Sequence, residues 1–190
     1  MTRAYTLKRR AESQAATRRR IVEAAVELHS TLGPARTTFT LLAERAGVQR
    51  HTLYAHFPDE RTLQLACSGL TIERDPMPDA AAWQAIADRH ARLRTGLRQL
   101  YGWYERNARL AACVLRDAEH HEVTRETVEL RFGPSMTSYR NTLGAGLTAR
   151  QEALLRLALS FNTWRTLALE AKLDVPAAAD AMAGAIEAAT

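Results

Sequence analysis

The sequence predicts an all-α chain, with an N-terminal three-helix helix-turn-helix module followed by a longer helical module. Three observations predict this. Apolar residues recur at three- and four-residue spacing along most of the 190 residues, β-branched alternation is nowhere sustained, and Gly and Pro fall mainly between the periodic stretches. With 46% of residues apolar, the chain can bury a core.

Ile21, Ala24, Ala25, Leu28 and Leu32 mark one face of a first helix that stops at Gly33 and Pro34. A second, short helix starts at Thr38, which can cap it, turns Phe39, Leu42, Ala43 and Ala46 inward, and ends at Gly47. The third runs from about Gln49 to Phe57. Pro58 opens a fourth, with Leu63, Ala66, Cys67 and Leu70 as its inner face. The segment "RDPMPDA" at 74–80 then interrupts the pattern with two prolines, dividing the chain into modules 1–74 and 75–190. Beyond it the spacing predicts helices over about 80–105, 107–118, 123–143 (irregular at Gly133 and Pro134), 149–172 and 176–188. Thr148 and Gln151 form a capping-box pattern, and Pro176 suits a first turn.

The whole net charge of +5 falls on residues 1–63. Eleven basic residues there (Arg3, Lys8, Arg9, Arg10, Arg18, Arg19, Arg20, Arg36, Arg45, Arg50 and Arg61) face six acids, whereas the rest of the chain is balanced. Such segregation is the footprint of one module that meets a polyanion and another that does not. A basic N-terminal tail explains residues 1–10 but not Arg45, Arg50 and Arg61. No run approaches the roughly 20 apolar residues needed to cross a bilayer, and the N-terminus lacks a signal-peptide h-region, so a soluble, cytoplasmic protein with no membrane partner is expected. Cys67 and Cys113 lie far apart in helical patterns, with neither disulfide-scaffold nor zinc spacing, and read as small core residues.

The stretch "AGVQRHTLYAHF" at 46–57 holds few apolar anchors among polar groups. Two short helices joined by "AGV" form a helix-turn-helix, whose second helix can enter the major groove of double-stranded DNA. Leu53 and Phe57 would hold that helix to the core, leaving Gln49, Arg50, His51, Thr52, Tyr54 and His56 on the sides available to DNA.

At these residues the sequence resembles the TetR-type transcriptional regulators. The matching segments are "RRRIVEAAVELHSTLG", "TTFTLLAERAGVQRHTLYAHF" and "PDERTLQLA", over about residues 17–66. The resemblance implies that Thr38, Tyr54 and His56 contact phosphates, that Thr52 contacts phosphate or base, and that Gln49, Arg50 and His51 occupy variable base-reading positions. His51 stands where the family commonly has glycine. Glu60 stands where a lysine usually reaches a phosphate, a role Arg61 could assume. The resemblance also implies that the C-terminal domain binds ligand and forms the dimer, and that the commoner pattern is a repressor released by ligand.

In the second module, "ALLRLALSFNTWRTLALE" is apolar on nearly all sides, consistent with one face on the domain core and another on a second subunit. A twofold homodimer would set two recognition helices about one helical turn of DNA apart, hence an inverted-repeat operator. The alanine-rich last helix could pack closely on its partner. Trp83, Tyr101, Trp103, Tyr104, Phe132, Met136, Phe161 and Trp164 concentrate aromatic and apolar bulk here, with His90, Asn162 and His120 as polar candidates. Of these, Trp83, His90, Trp103, Tyr104, Phe161, Asn162 and Trp164 are the candidate contacts to a small organic ligand. Each taken singly also fits plain core packing.

No cofactor, metal site or enzyme activity is expected. The sequence has no nucleophile elbow, phosphate-binding loop or dinucleotide fingerprint, and "HHE" at 120–122 lacks a third ligand at helical spacing and reads as a solvated connector. The alternative within the same class is a ligand-independent DNA-binding regulator whose second module only dimerises.

Overall fold

The computed structural model describes residues 3–189 and is all-α, with no strand among the described residues. It divides into two compact units. Unit 1 comprises residues up to Arg74 together with Ala112–Val128, and unit 2 comprises Asp75–Ala111 and the chain from Glu129 onward.

In unit 1, helix α1 spans Arg3–Thr31, α2 Phe39–Ala46, α3 Arg50–His56 and α4 Glu60–Arg74, with a 3-10 turn at Pro34–Arg36 between α1 and α2. Of the expected basic tail, Met1 and Thr2 lie outside the described residues. The rest is helical, because Lys8, Arg9, Arg10, Ala11, Glu12, Gln14, Ala15 and Ala16 are nearly all strong helix formers. Thr38 caps α2 by accepting from the Leu41 N–H at 3.2 Å. Gly47 closes α2 in the left-handed conformation at φ 61°. Asp59, after Pro58, caps α4 by accepting the Thr62 N–H at 2.7 Å. The four helices enclose one core in which Ile21, Ala25, Leu42, Leu53 and Phe57 are fully buried. Cys67 belongs to that core, and burial pushes its thiol up to about 12.

In unit 2 lie α5 (Ala80–Gln84), the first part of α6 (Arg89–Ala118), most of α7 (Glu122–Gly144), α8 (Ala149–Ala158), α9 (Phe161–Arg165), a π-helical turn (Thr166–Glu170) and α10 (Val175–Ala188). The expected break near residue 106 is absent. Helix α6 passes through Asn107, whose side-chain amide donates both to Asp75 Oδ2 at 2.7 Å and back to the Trp103 carbonyl one turn earlier at 3.0 Å, so it is held within the helix and does not end it. The break falls before Arg89, where Asp88 accepts the Ala91 N–H at 2.6 Å and starts a new helix. Pro134 lies within α7 without ending it. Burial of Tyr139, Thr142 and Leu143 beyond the proline outweighs the missing backbone bond. The helix expected over 149–172 is divided at Ser160, which accepts the Asn162 N–H at 3.2 Å and caps α9. The Thr148–Gln151 capping box forms as expected.

The division differs from a boundary at residue 74 in one segment. Residues 112–128, comprising the end of α6, the connecting turn and the start of α7, pack with the first unit.

Candidate nucleic-acid interface

The exposed face of α3 is built on two buried anchors. Leu53 and Phe57 are fully buried, and the Arg18 guanidinium lies over the Phe57 ring 4.8 Å from its centroid. One helical turn between the anchors fixes the azimuth of α3. Gln49, Arg50 and His51 are then exposed at its start, Thr52 and His56 half-buried at its flanks. Gln49 caps α3 through its backbone alone, so its amide is not consumed by the cap. Tyr54 rests its ring on Phe39, centroids 5.0 Å apart, yet stays 45% exposed, combining packing with a presented hydroxyl. Thr38 uses an oxygen lone pair for the α2 cap, which leaves its hydroxyl proton free to donate. All eight candidates, Arg61 included, therefore fall in α2, α3 and the first turn of α4 or at their caps.

Their charges are not equally available. Arg45 pairs with Glu27, and both Arg19 and Arg74 pair with Glu23. Arg61, the possible substitute for the missing lysine, pairs with Glu126. Arg50 has no ion pair among the described residues. It lies exposed in the first turn of α3.

Glu60 does not stand free. Its Oε1 accepts from Gln64 Nε2 at 2.8 Å and lies 3.5 Å from His121 Nε2. Gln64, only 4% exposed, also donates to Thr124 Oγ1 at 3.1 Å, and that hydroxyl meets His121 Nδ1 at 2.8 Å. The "HHE" turn is thus not merely solvated, since His121 is half-buried in this network while His120 is exposed. A second attachment lies at the α1–α2 connection. Buried Asp117 accepts from the Ala35 N–H at 3.0 Å and from Arg116 Nε at 2.8 Å, and Arg116 Nη2 donates to Leu32 O at 2.8 Å. Gly33 leaves room for this at φ 96°, where a Cβ would come within 2.2 Å of Asp117 Oδ2. His29 is buried nearby, and desolvation lowers it to about 4 against the opposing pull of the Asp117 charge. Sequence reasoning missed these groups. The one local signal was Gln64, a polar side chain beside the apolar face of α4.

The ligand candidates in unit 2 do not form a single cluster. Tyr104 lies 5.4 Å from Phe161, 6.0 Å from Trp164 and 5.8 Å from Trp103, centroid to centroid, so it touches each of the other three rings. Trp83 instead packs on Tyr139 at 4.8 Å and donates to Gln99. His90 is exposed and pairs with Glu187, and Asn162 is exposed. The Tyr101 and Tyr104 hydroxyls donate to the Ala158 and Leu159 carbonyls, and burial raises both above the usual phenol range. Trp164 Nε1 is buried without a hydrogen-bond partner among the described residues.

Among the described residues no three His, Cys, Asp or Glu side chains converge on a possible metal position, and no helix is long and apolar enough to cross a membrane. Several solved structures share the fold. A TetR-like transcriptional regulator from Rhodococcus sp. RHA1 has a TM-score of 0.64 at 18% identity, covering 91% of this chain and 94% of its own. The regulator FadR from Bacillus subtilis, in complex with stearoyl-CoA, has a TM-score of 0.65 at 17% identity, covering 90% and 98%. AibR, in complex with isovaleryl coenzyme A and operator DNA, has a TM-score of 0.61 at 20% identity, covering 89% and 97%. At such identities the likeness establishes the architecture. No curated protein matches the chain. Residues 21–67, a segment that holds α2, α3 and the first half of α4, match the sequence profile of the bacterial regulatory proteins, tetR family.

Proposed function

We propose that the protein is a homodimeric cytoplasmic repressor that binds an inverted-repeat operator in double-stranded DNA and is released by a small organic ligand. The observation that carries this reading is α3 itself, anchored by two buried side chains and presenting Arg50, His51 and Gln49 outward in its first turn. In this reading Gln49, Arg50 and His51 address base edges, while Thr38, Thr52, Tyr54 and His56 hold phosphates and fix the register. Arg61 joins them only by exchanging Glu126 for a phosphate.

Dimerisation falls to α8 and α10. Leu157 is 52% exposed on α8, and Ala-rich α10 can approach a second copy closely. Ligand binding falls to the rings of Trp103, Tyr104, Phe161 and Trp164. A ligand acceptor placed at Trp164 Nε1 would recover a donor whose burial alone costs about 1 to 3 kcal/mol. Trp83, which packs on Tyr139, and His90, which pairs with Glu187, are given no part in this site, and exposed Asn162 adjoins it only through its neighbour Phe161. That FadR is solved with stearoyl-CoA and AibR with isovaleryl coenzyme A makes acyl thioesters the first compounds to try.

Selection of bound fragments from random duplex DNA tests the core of the reading. An enriched inverted repeat is expected, a single half-site would remove the dimer, and no enrichment would remove sequence-specific binding altogether. Thermal unfolding with an acyl-CoA series tests the ligand, since specific binding must raise the midpoint with concentration.

A further inference from the structure

We propose that Glu60, Gln64, Thr124 and His121 are positioning residues for the reading helix, a polar lock that sets the position of α3 by holding the first turn of α4 to the start of α7. Only residues 57–59 separate His56, the last residue of α3, from Glu60, the first of α4. Phe57 in that link is fully buried, and Asp59 is committed to the α4 cap, so the link has little slack. Wherever the first turn of α4 goes, the end of α3 follows.

The members of the lock depend on one another. Gln64 Nε2 donates to both Glu60 Oε1 and Thr124 Oγ1, the Thr124 hydroxyl also meets His121 Nδ1, and His121 Nε2 faces Glu60 again, closing a ring of four side chains. Thr124 is 1% exposed and Gln64 4%, so removing the Thr124 hydroxyl strands the Gln64 amide away from water, whereas Glu60 and His121 form the half-exposed side of the ring. The Arg61–Glu126 pair lies beside the ring and bridges the same two helices.

This assignment gives Glu60 a role opposite to the one its charge alone would have. A bare carboxylate near the DNA backbone repels phosphate, and neutralising it would tighten binding. A carboxylate that closes the lock strengthens binding by keeping α3 in place, and neutralising it weakens binding. The inference rests on the DNA-binding reading for its functional consequence but not for its structural one, and the two are measured separately.

The test uses the full-length protein and three variants, Thr124→Val, Thr124→Ser and Glu60→Gln. Amide hydrogen exchange without DNA is expected to speed up at least about fivefold over residues 53–64 in Thr124→Val and to stay near wild type in Thr124→Ser, which keeps the hydroxyl. Affinity for the duplex recovered by selection is expected to fall several-fold in Thr124→Val and Glu60→Gln, with the salt dependence unchanged in Thr124→Val because no phosphate contact is lost. Unchanged exchange over residues 53–64 in Thr124→Val overturns the lock. Tighter binding by Glu60→Gln, or a Thr124→Val protein of lowered thermal stability but undiminished affinity, overturns its role in reading. If wild type enriches no duplex, the DNA-binding reading fails, and the exchange experiment still decides whether the lock exists.

Discussion

Asp117 and His29 show how much a single side chain can decide in this protein. Asp117 is nearly fully buried and supplies an acceptor to a backbone N–H that the 3-10 turn cannot satisfy internally. His29 sits beside it in its neutral form, lowered to about 4 from an ordinary 6.5. As pH falls below about 6.5 the unfolded chain takes up a proton that the folded chain refuses, so stability is lost between about 6.5 and 4 and levels off below. The full loss is on the order of 3 kcal/mol, from about 1.4 kcal/mol per unit of pKa difference. Denaturant unfolding at a series of pH values should show this slope, and His29→Leu should flatten it. A wild-type slope that persists in His29→Leu would assign it to the carboxylates. Base readout is the other residue-scale expectation. Arg50→Ala should relax preference at one symmetric pair of operator positions by about 1 to 3 kcal/mol each, as read by competition among single-base variants. Equal weakening on every sequence would reduce Arg50 to a phosphate contact. The type and position of Arg50 were legible in the sequence. The fate of Glu60 was not, because its partners His121 and Thr124 lie some 60 residues away and no local pattern announces a long-range hydrogen bond.

At the scale of elements, what the sequence declared best were helices bounded by stereochemistry: α2 between Thr38 and Gly47, α3 between its cap and Phe57, and α8 behind its capping box. The misplaced boundaries were those in which a polar residue had two options. Asn107 could have ended a helix but found Asp75, whereas Ser160 could have stayed within one but became a cap. Only tertiary surroundings choose between such outcomes. The two positive-φ turns of the reading unit separate local strain from packing. Gly47→Ala introduces a side chain into the left-handed region with nothing within 4 Å of its Cβ, so it should cost about 1 to 2 kcal/mol and no more. Gly33→Ala adds to a stricter backbone demand a collision with buried Asp117, and should cost clearly more. Equal midpoints for the two variants in thermal unfolding would mean that the Asp117 attachment yields freely.

At the scale of the molecule, the charge asymmetry and the proline interruption at 76 and 78 are visible in the sequence, but the path of the chain between the two compact units is not. Helices α6 and α7 each contribute to both units, and the prolines at 76 and 78 mark only one of the crossings. The other two occur inside uninterrupted helices, where composition does not change. A cut after residue 74 therefore does not produce two intact halves. In the fragment 1–74, the Ala35 N–H loses Asp117, Leu32 O loses Arg116, and Gln64 loses Thr124, while the Val22 and Cys67 core remains. That fragment should retain helices by circular dichroism but unfold at lower denaturant than unit 1 does in the whole protein, and bind duplex DNA more weakly. The fragment 75–190 retains the Tyr104, Phe161 and Trp164 rings and both α8 and α10, so it should still form a dimer by sedimentation, even with the 112–128 segment deprived of its partners. A monomeric 75–190 fragment would place the subunit interface elsewhere. A 1–74 fragment as stable as unit 1 in the intact chain would show that residues 112–128 rest on the reading unit without holding it.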